Sequence, residues 1–249
     1  MAVIRLLIAY DGTDFRGWAR QPGLRTVQGS IEDVLGLMLP EPHRLSVAGR
    51  TDAGVHAEGQ VASFSAPPEI DLARMQRAVN ARLGPEVVVR EARLAPDGFN
   101  ARRSATGREY RYRIRTSAVP DPFTARFTWH RPGRLALSRM RAAARHLEGV
   151  HDFASFCRAS QPPTSTERNL QRLAIRAASD LVEVRALADS FLHQMVRSLV
   201  GTLVRVGDGR IEPGEVPAIL EARNRGAAAQ MAPAHGLTLV RALYGRRGS

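Results

Sequence analysis

Leu45-Ser46-Val47-Ala48, Gly49-Arg50-Thr51-Asp52-Ala53-Gly54-Val55-His56-Ala57, and, after two residues, Gln60-Val61-Ala62-Ser63-Phe64 form one stretch with a loop between two apolar runs. Both runs read as strands, because β-branched and aromatic residues are punctuated by glycine. A bare hairpin needs only Asn-Gly or Asp-Gly at its tip. This loop instead carries a guanidinium, a hydroxyl, a carboxylate and an imidazole. Two readings of Asp52 follow. Either it caps the turn through its own backbone, or it is a reactive carboxylate on a loop held by rigid strands.

Working outward, residues 3–10 read as a strand ending at Asp11-Gly12. Thr26 to Leu39 reads as a helix with Val27, Ile31, Val34, Leu35 and Met38 in one stripe, stopped by Pro40 and Pro42. Downstream, Asp71 can cap a helix to about Leu83, with Leu72, Met75, Val79 and Leu83 inward. A strand from Glu86 to about Ala95 follows. The order β-α-β-β-α-β is ferredoxin-like. A similar order returns: strand Arg108–Thr116, helix Ser138–Leu147, strands Leu170–Ala178 and Leu181–Ala188, helix Phe191–Val206, a shorter helix Pro213–Arg223 and strand Leu237–Tyr244. The chain therefore reads as α+β in two halves, 1–105 and 106–249. Asp11–Arg25 and Arg158–Arg168 are polar, carry Arg and read as mobile loops.

Charge narrows the function. The net charge is +12, and all 36 basic residues are Arg. Schiff-base and Walker-type lysine chemistry are thereby excluded. Residues 1–89 hold 9 Arg and 10 acids; residues 90–145 hold 14 Arg and 4 acids; residues 146–249 hold 13 Arg and 10 acids. A central belt of this sign suits a polyanion, and the Arg fork suits phosphate. Cys157 is the only cysteine, so no intrachain disulfide and no Cys-rich zinc site can form. The seven His show no metal-ligand spacing, and no metal is expected. The Phe191–Val206 run is too short and too interrupted, by His193, Gln194, Arg197 and Arg205, to span a membrane. Met1 to Arg5 shows no signal-peptide pattern. A cytoplasmic protein with no membrane partner is expected.

In the strand from Arg108, Arg111, Arg113 and Arg115 share one face, and Tyr110, Tyr112 and Ile114 the other. Cations for phosphate and rings for stacking are what extruded RNA bases require. Tyr112 and Ile114 read as core. Tyr110, at the strand entry, reads as available to a base. Arg197 borders the apolar stripe of the Phe191–Val206 run; it either snorkels to solvent or reaches a carboxylate, which it would keep ionised. Cys157 and Trp18 read as packing residues, His56 as a shaper of its loop, and Gly207-Asp208-Gly209 as a helix stop.

With these segments in view, the chain resembles the TruA family of tRNA pseudouridine synthases. The matching residues are Tyr10-Asp11-Gly12 with Phe15, Gly17 and Trp18; Thr26-Val27-Gln28; Gly49 to Ala57; Gln60-Val61; Phe99, Ala101 and Arg102; Ser104-Ala105 with Arg108, Tyr110 and Tyr112; Gly149 with His151-Asp152-Phe153; Phe191-Leu192 with Met195-Val196-Arg197; and Gly236-Leu237. The resemblance implies a catalytic Asp52. It implies that Arg50 holds the displaced nucleotide, that Tyr110 stacks on the target base, and that Arg197 pairs with the aspartate. Arg102 and Arg108, in the matched segments, are expected to join Arg50 and Tyr110 in binding substrate. It also implies two ferredoxin-like halves joined in one large, mostly antiparallel sheet flanked by helices. The expected activity is cofactor-independent isomerisation of uridine on the 3′ side of the tRNA anticodon stem-loop, by a homodimer. The chain departs from the family pattern at Ala19, where Gln is common, at Leu83-Gly84-Pro85 for Leu-Pro, and at Phe99-Asn100 for Phe-His. The competing reading is a non-catalytic RNA-binding module, for which a carboxylate beside phosphate has little use.

Overall fold

The computed structural model describes residues 1–39, 43–158 and 165–245. The expected helix stops Pro40 and Pro42, and residues 159–164 of the second expected loop, lie outside the described residues. Two compact units are present: residues 1–108 with 238–249, and residues 109–237. The last strand, which the sequence places with the second half, thus belongs to the first unit.

In the first unit, β1 (Ala2–Tyr10) lies antiparallel between β3 (His56–Ala66) and β4 (Val87–Ala95), and β10 (Leu237–Tyr244) runs parallel to β3 on its other side. The strand alternation puts Ile4, Leu6, Ile8 and Tyr10 on one buried face of β1. Helices α1 (Val27–Gly36) and α2 (Leu72–Leu83) pack against each other, and α2 packs on β4. Each has a side-chain N-cap: Thr26 accepts from Gly29 N and Asp71 from Arg74 N. Ile31 and Leu35 of α1 and Met75 and Val79 of α2 are buried, whereas Leu72 and Leu83 are only half-buried. The strand expected over Leu45–Ala48 shrinks to β2 (Ser46–Val47), which pairs with β3. By contrast β3 begins inside the motif, at His56.

Strand β5 (Ala105–Arg115) runs on into the second unit. There the strand order is β5, β9 (Leu181–Ala188), β8 (Glu167–Ala178), β7 (Gly149–Asp152), with β6 (Trp129–His130) parallel to β5. The helices are α3 (Leu137–Arg145), α4 (Met195–Gly207) and α5 (Val216–Glu221); α3 packs on α4 and β8. The protein is mixed α+β, with mostly antiparallel strands and helices packed on them. The expected helix over Phe191–Val206 starts four residues late. Gln194 is left-handed at φ 61°, which breaks the helical ladder, and His193-Gln194 form the turn before it, closed by Met195 N donating to Leu192 O. The two short strands β6 and β7 carry too little periodicity to be seen in sequence.

Candidate active site

The Asp52 loop is built by its neighbours. Val55 N donates to Asp52 O, closing the turn, and leaves the Asp52 side chain half-buried. The hydroxyls of Tyr10 and Thr51 share a hydrogen bond of 2.8 Å, and Gln60 Nε2 donates to Tyr10 Oη and to Gly49 O. Burial pushes the Tyr10 phenol up to about 12, against the opposing effect of its two hydrogen bonds, so Tyr10 stays neutral at physiological pH.

The segment Asp11–Arg25, expected to be mobile, is the other wall of this loop. Phe15 and Trp18 are 2% and 0% exposed. Trp18 N donates to Thr51 O and Gly54 N to Phe15 O, while Gly17 O and Trp18 O accept from Val27 N and Gln28 N at the start of α1. Gly12 approaches so closely that a Cβ there would sit 2.0 Å from Val55 O. Gly12 N also donates to His56 Nδ1 over 3.0 Å. Asp11 Oδ1 is 3.1 Å from the same nitrogen, so Nδ1 sits between the Gly12 N–H and the Asp11 carboxylate. His56, read from the sequence as a shaper of its loop, is 2% exposed. These contacts hold Gly12, Phe15 and Trp18 against the Asp52 loop and tie that segment to the start of α1.

Arg50 and Arg102 are exposed on the first unit. Arg108, expected beside them as a substrate ligand, is instead 9% exposed and directs its guanidinium at the backbone carbonyls of Ala48, Ala105 and Arg102. Its place in a segment that matches the family suggested a substrate ligand; the carbonyls that converge on it from Ala48 and the residue 101–105 backbone were not visible in sequence.

Tyr110 and Arg197 are in the second unit. Tyr110 is 7% exposed, and its ring meets Phe191 edge-on at 5.1 Å. Arg197 is half-buried near the start of α4, and its Nε donates to Ala232 O while Ala232 N donates to Arg197 O. The guanidinium is thus oriented by a segment that sequence reasoning overlooked. Tyr112 Oη donates to Pro233 O in the same segment, and burial raises the Tyr112 phenol. Burial also holds the His235 imidazole below its ordinary value, so His235 is neutral near pH 7. Arg111, read from the sequence as one of the cations facing phosphate, is buried and faces Glu183 at 3.6 Å. Among the described residues, no group of three or more His, Cys, Asp and Glu is placed to hold a metal ion.

Comparison with known proteins decides the family. A Bacillus subtilis (strain 168) protein named tRNA pseudouridine synthase A is 42% identical over 243 residues, covering 97% of this chain and 98% of its own length. The chain belongs to the tRNA pseudouridine synthase A family. A relative of the same name from Syntrophotalea carbinolica is 44% identical, covering 98% of this chain and 97% of its own; one from Moorella thermoacetica is 42% identical, covering 98% and 100%. The family model described as tRNA pseudouridine synthase matches residues 143–245, a span that contains Arg197 and α4. As a pseudouridine synthase of this family, the protein is an isomerase.

Proposed function

We propose that the protein converts uridine to pseudouridine on the 3′ side of the tRNA anticodon stem-loop, with Asp52 as the reacting carboxylate. The observation that carries this reading is the Asp52 loop, gripped by β3 on one side and by the buried Phe15-Trp18 segment on the other. Such support holds a reacting group in place while leaving it access to substrate. The names of the relatives supply the RNA class.

In the reaction the N1–C1′ bond breaks, the uracil turns, and C5 bonds to C1′. The proton on C5 is lost and N1 gains one, so the reaction is redox-neutral. A uridine inside a stem must be extruded, at a cost of a few kcal/mol that backbone contacts and stacking offset. Asp52 acts as nucleophile or as the base that starts elimination; both roles require the ionised carboxylate. Tyr110 stacks on the extruded base, Arg50 and Arg102 contact its backbone, and Arg197 supplies positive charge for Asp52. We further read the two units as ferredoxin-like halves and the active form as a cytoplasmic homodimer.

The test is incubation of the purified protein with an unmodified tRNA transcript, mapping pseudouridine by carbodiimide-dependent reverse-transcription stops. Stops in the anticodon stem-loop are expected, and Asp52→Ala is expected to abolish them while tRNA affinity stays within about threefold. Turnover retained by Asp52→Ala would remove the carboxylate from the chemistry. Stops elsewhere in the tRNA would reassign the target.

A further inference from the structure

Arg108 lies at the end of the first unit, and its buried guanidinium serves two pieces of backbone. Nε and Nη2 both donate to Ala48 O, at 3.0 and 2.7 Å. Ala48 directly precedes the Gly49–Ala57 loop and is fixed by its own N–H to Val61 O. Nη2 also donates to Arg102 O at 3.1 Å, and Nη1 to Ala105 O at 3.4 Å.

The turn at the other end of this brace is equally constrained. Asn100 Oδ1 accepts from Arg102 N, Arg103 N and Ser46 Oγ, while Asn100 N donates to Ser104 Oγ and Asn100 O accepts from Ser104 N. Ala101 N donates to Ser63 Oγ, and Tyr244 Oη to Ala101 O. The backbone is held throughout, yet the side chains of Arg102 and Arg103 are exposed. Rigid backbone under exposed guanidiniums is what a phosphate contact needs. Asn100, a departure from the family pattern, is what organises the two residues.

We propose that Arg108 is a positioning residue that braces the Asp52 loop, at Ala48, against the Arg102–Arg103 turn, whose two guanidiniums take RNA phosphate. The proposal rests on the reading of Asp52 given above. Carbonyl dipoles converging on a buried cation hold it only in a fixed geometry. The planar fork reaches all three carbonyls; a lysine ammonium, a point charge on a flexible stem, reaches fewer at once.

The test compares Arg108→Gln and Arg108→Lys with Arg102→Gln and Arg103→Gln on the tRNA transcript that the unsubstituted protein modifies. Single-turnover rate at saturating protein, tRNA Kd from low to high salt, Tm and amide exchange are measured. Arg108→Gln is expected to slow the single turnover about 10²-fold, the scale of a small misplacement of a reacting group. Its Kd and salt slope stay those of the unsubstituted protein, and amide exchange quickens at Gly49 to Val55. Arg108→Lys recovers part of the rate. Arg102→Gln and Arg103→Gln each weaken binding and lower the salt slope by about 0.7–0.9, the loss of one phosphate contact. Two results overturn the proposal: a reduced salt slope in Arg108→Gln, which makes it a phosphate ligand, or an unchanged rate with unchanged exchange. If Arg108→Gln fails to fold, Arg108→Lys decides by the same two readouts. An inactive unsubstituted protein counts against the assigned reaction, and amide exchange still tests the brace.

Discussion

Asp52, Arg50 and Tyr110, the proposed site residues, were noticeable in the sequence one at a time because their chemistry is out of place in an ordinary turn or strand. The residues that hold them were not. Gly12 means little in a string of letters; in the structure it is where two loops touch. Gly12→Ala should therefore cost about 1–3 kcal/mol, the range for forcing atoms into packed space, since the obstacle is the Val55 backbone and not a movable side chain. A urea midpoint that falls at constant m-value would show it. Tyr10→Phe removes one buried hydroxyl from Thr51 and Gln60 and should cost about 1 kcal/mol. Arg108 was misplaced for the same reason as Gly12: an arginine's partners in a fold can be carbonyls, which every residue carries and no sequence displays.

Helices with a capping residue and a clear stripe, such as α2, were recognised nearly to the residue. The start of α4 was not, because the apolar stripe continues back through Leu192 and Phe191 while the backbone turns at Gln194. The segment that lies along α4 was missed entirely, since Ala228 to Ala232 has no periodicity of its own. Its contacts show its purpose. A Cβ on Gly201 would lie 2.0 Å from Gln230 O, Ala229 N donates to Thr202 Oγ1, and Ala232 O takes the Arg197 Nε. Gly201→Ala should push this segment off the helix and loosen Arg197. The expected result is a Tm lowered by several degrees together with a slower single turnover, out of proportion to any change in tRNA Kd. A lowered Tm with an unchanged rate would separate the segment from the chemistry.

For the molecule as a whole, composition overstated the free charge. Within the basic belt, Arg93 faces Glu91, Arg113 faces Glu183, Arg115 faces Asp180, Arg131 faces Asp208 and Arg139 faces Glu212. Arg90, Arg102, Arg103, Arg134 and Arg145 are exposed, and on the proposed function they carry the docking charge. tRNA affinity should still drop steeply with salt, but with a slope well short of the belt's 14 arginines. Stability should form a plateau in pH. Burial raises Tyr10 and Tyr244 to about 12, so their contribution is complete below pH 10 and is lost as pH climbs through 12. His235 is lowered by burial and Asp152 by the Thr166 hydroxyl. Their contributions are present above the ordinary values of 6.5 and 3.8 and vanish as pH falls below them. Urea midpoints across pH check both limbs.

The parallel pairing of Thr238 with His56 and Leu239 with Ala57 has a consequence for biosynthesis. The strand that carries the end of the Asp52 loop emerges from the ribosome early, yet its neighbour β10 is made only after the whole of residues 109–237. Until then β2 covers only the Ala62–Ser63 part of that edge of β3, the His56–Ala57 end lacks its partner, and the first unit is incomplete. The nascent chain should consequently remain inert toward RNA until its second unit has been translated, and release of a chain stopped before Leu237 should yield a protein without activity even though every proposed catalytic side chain is present.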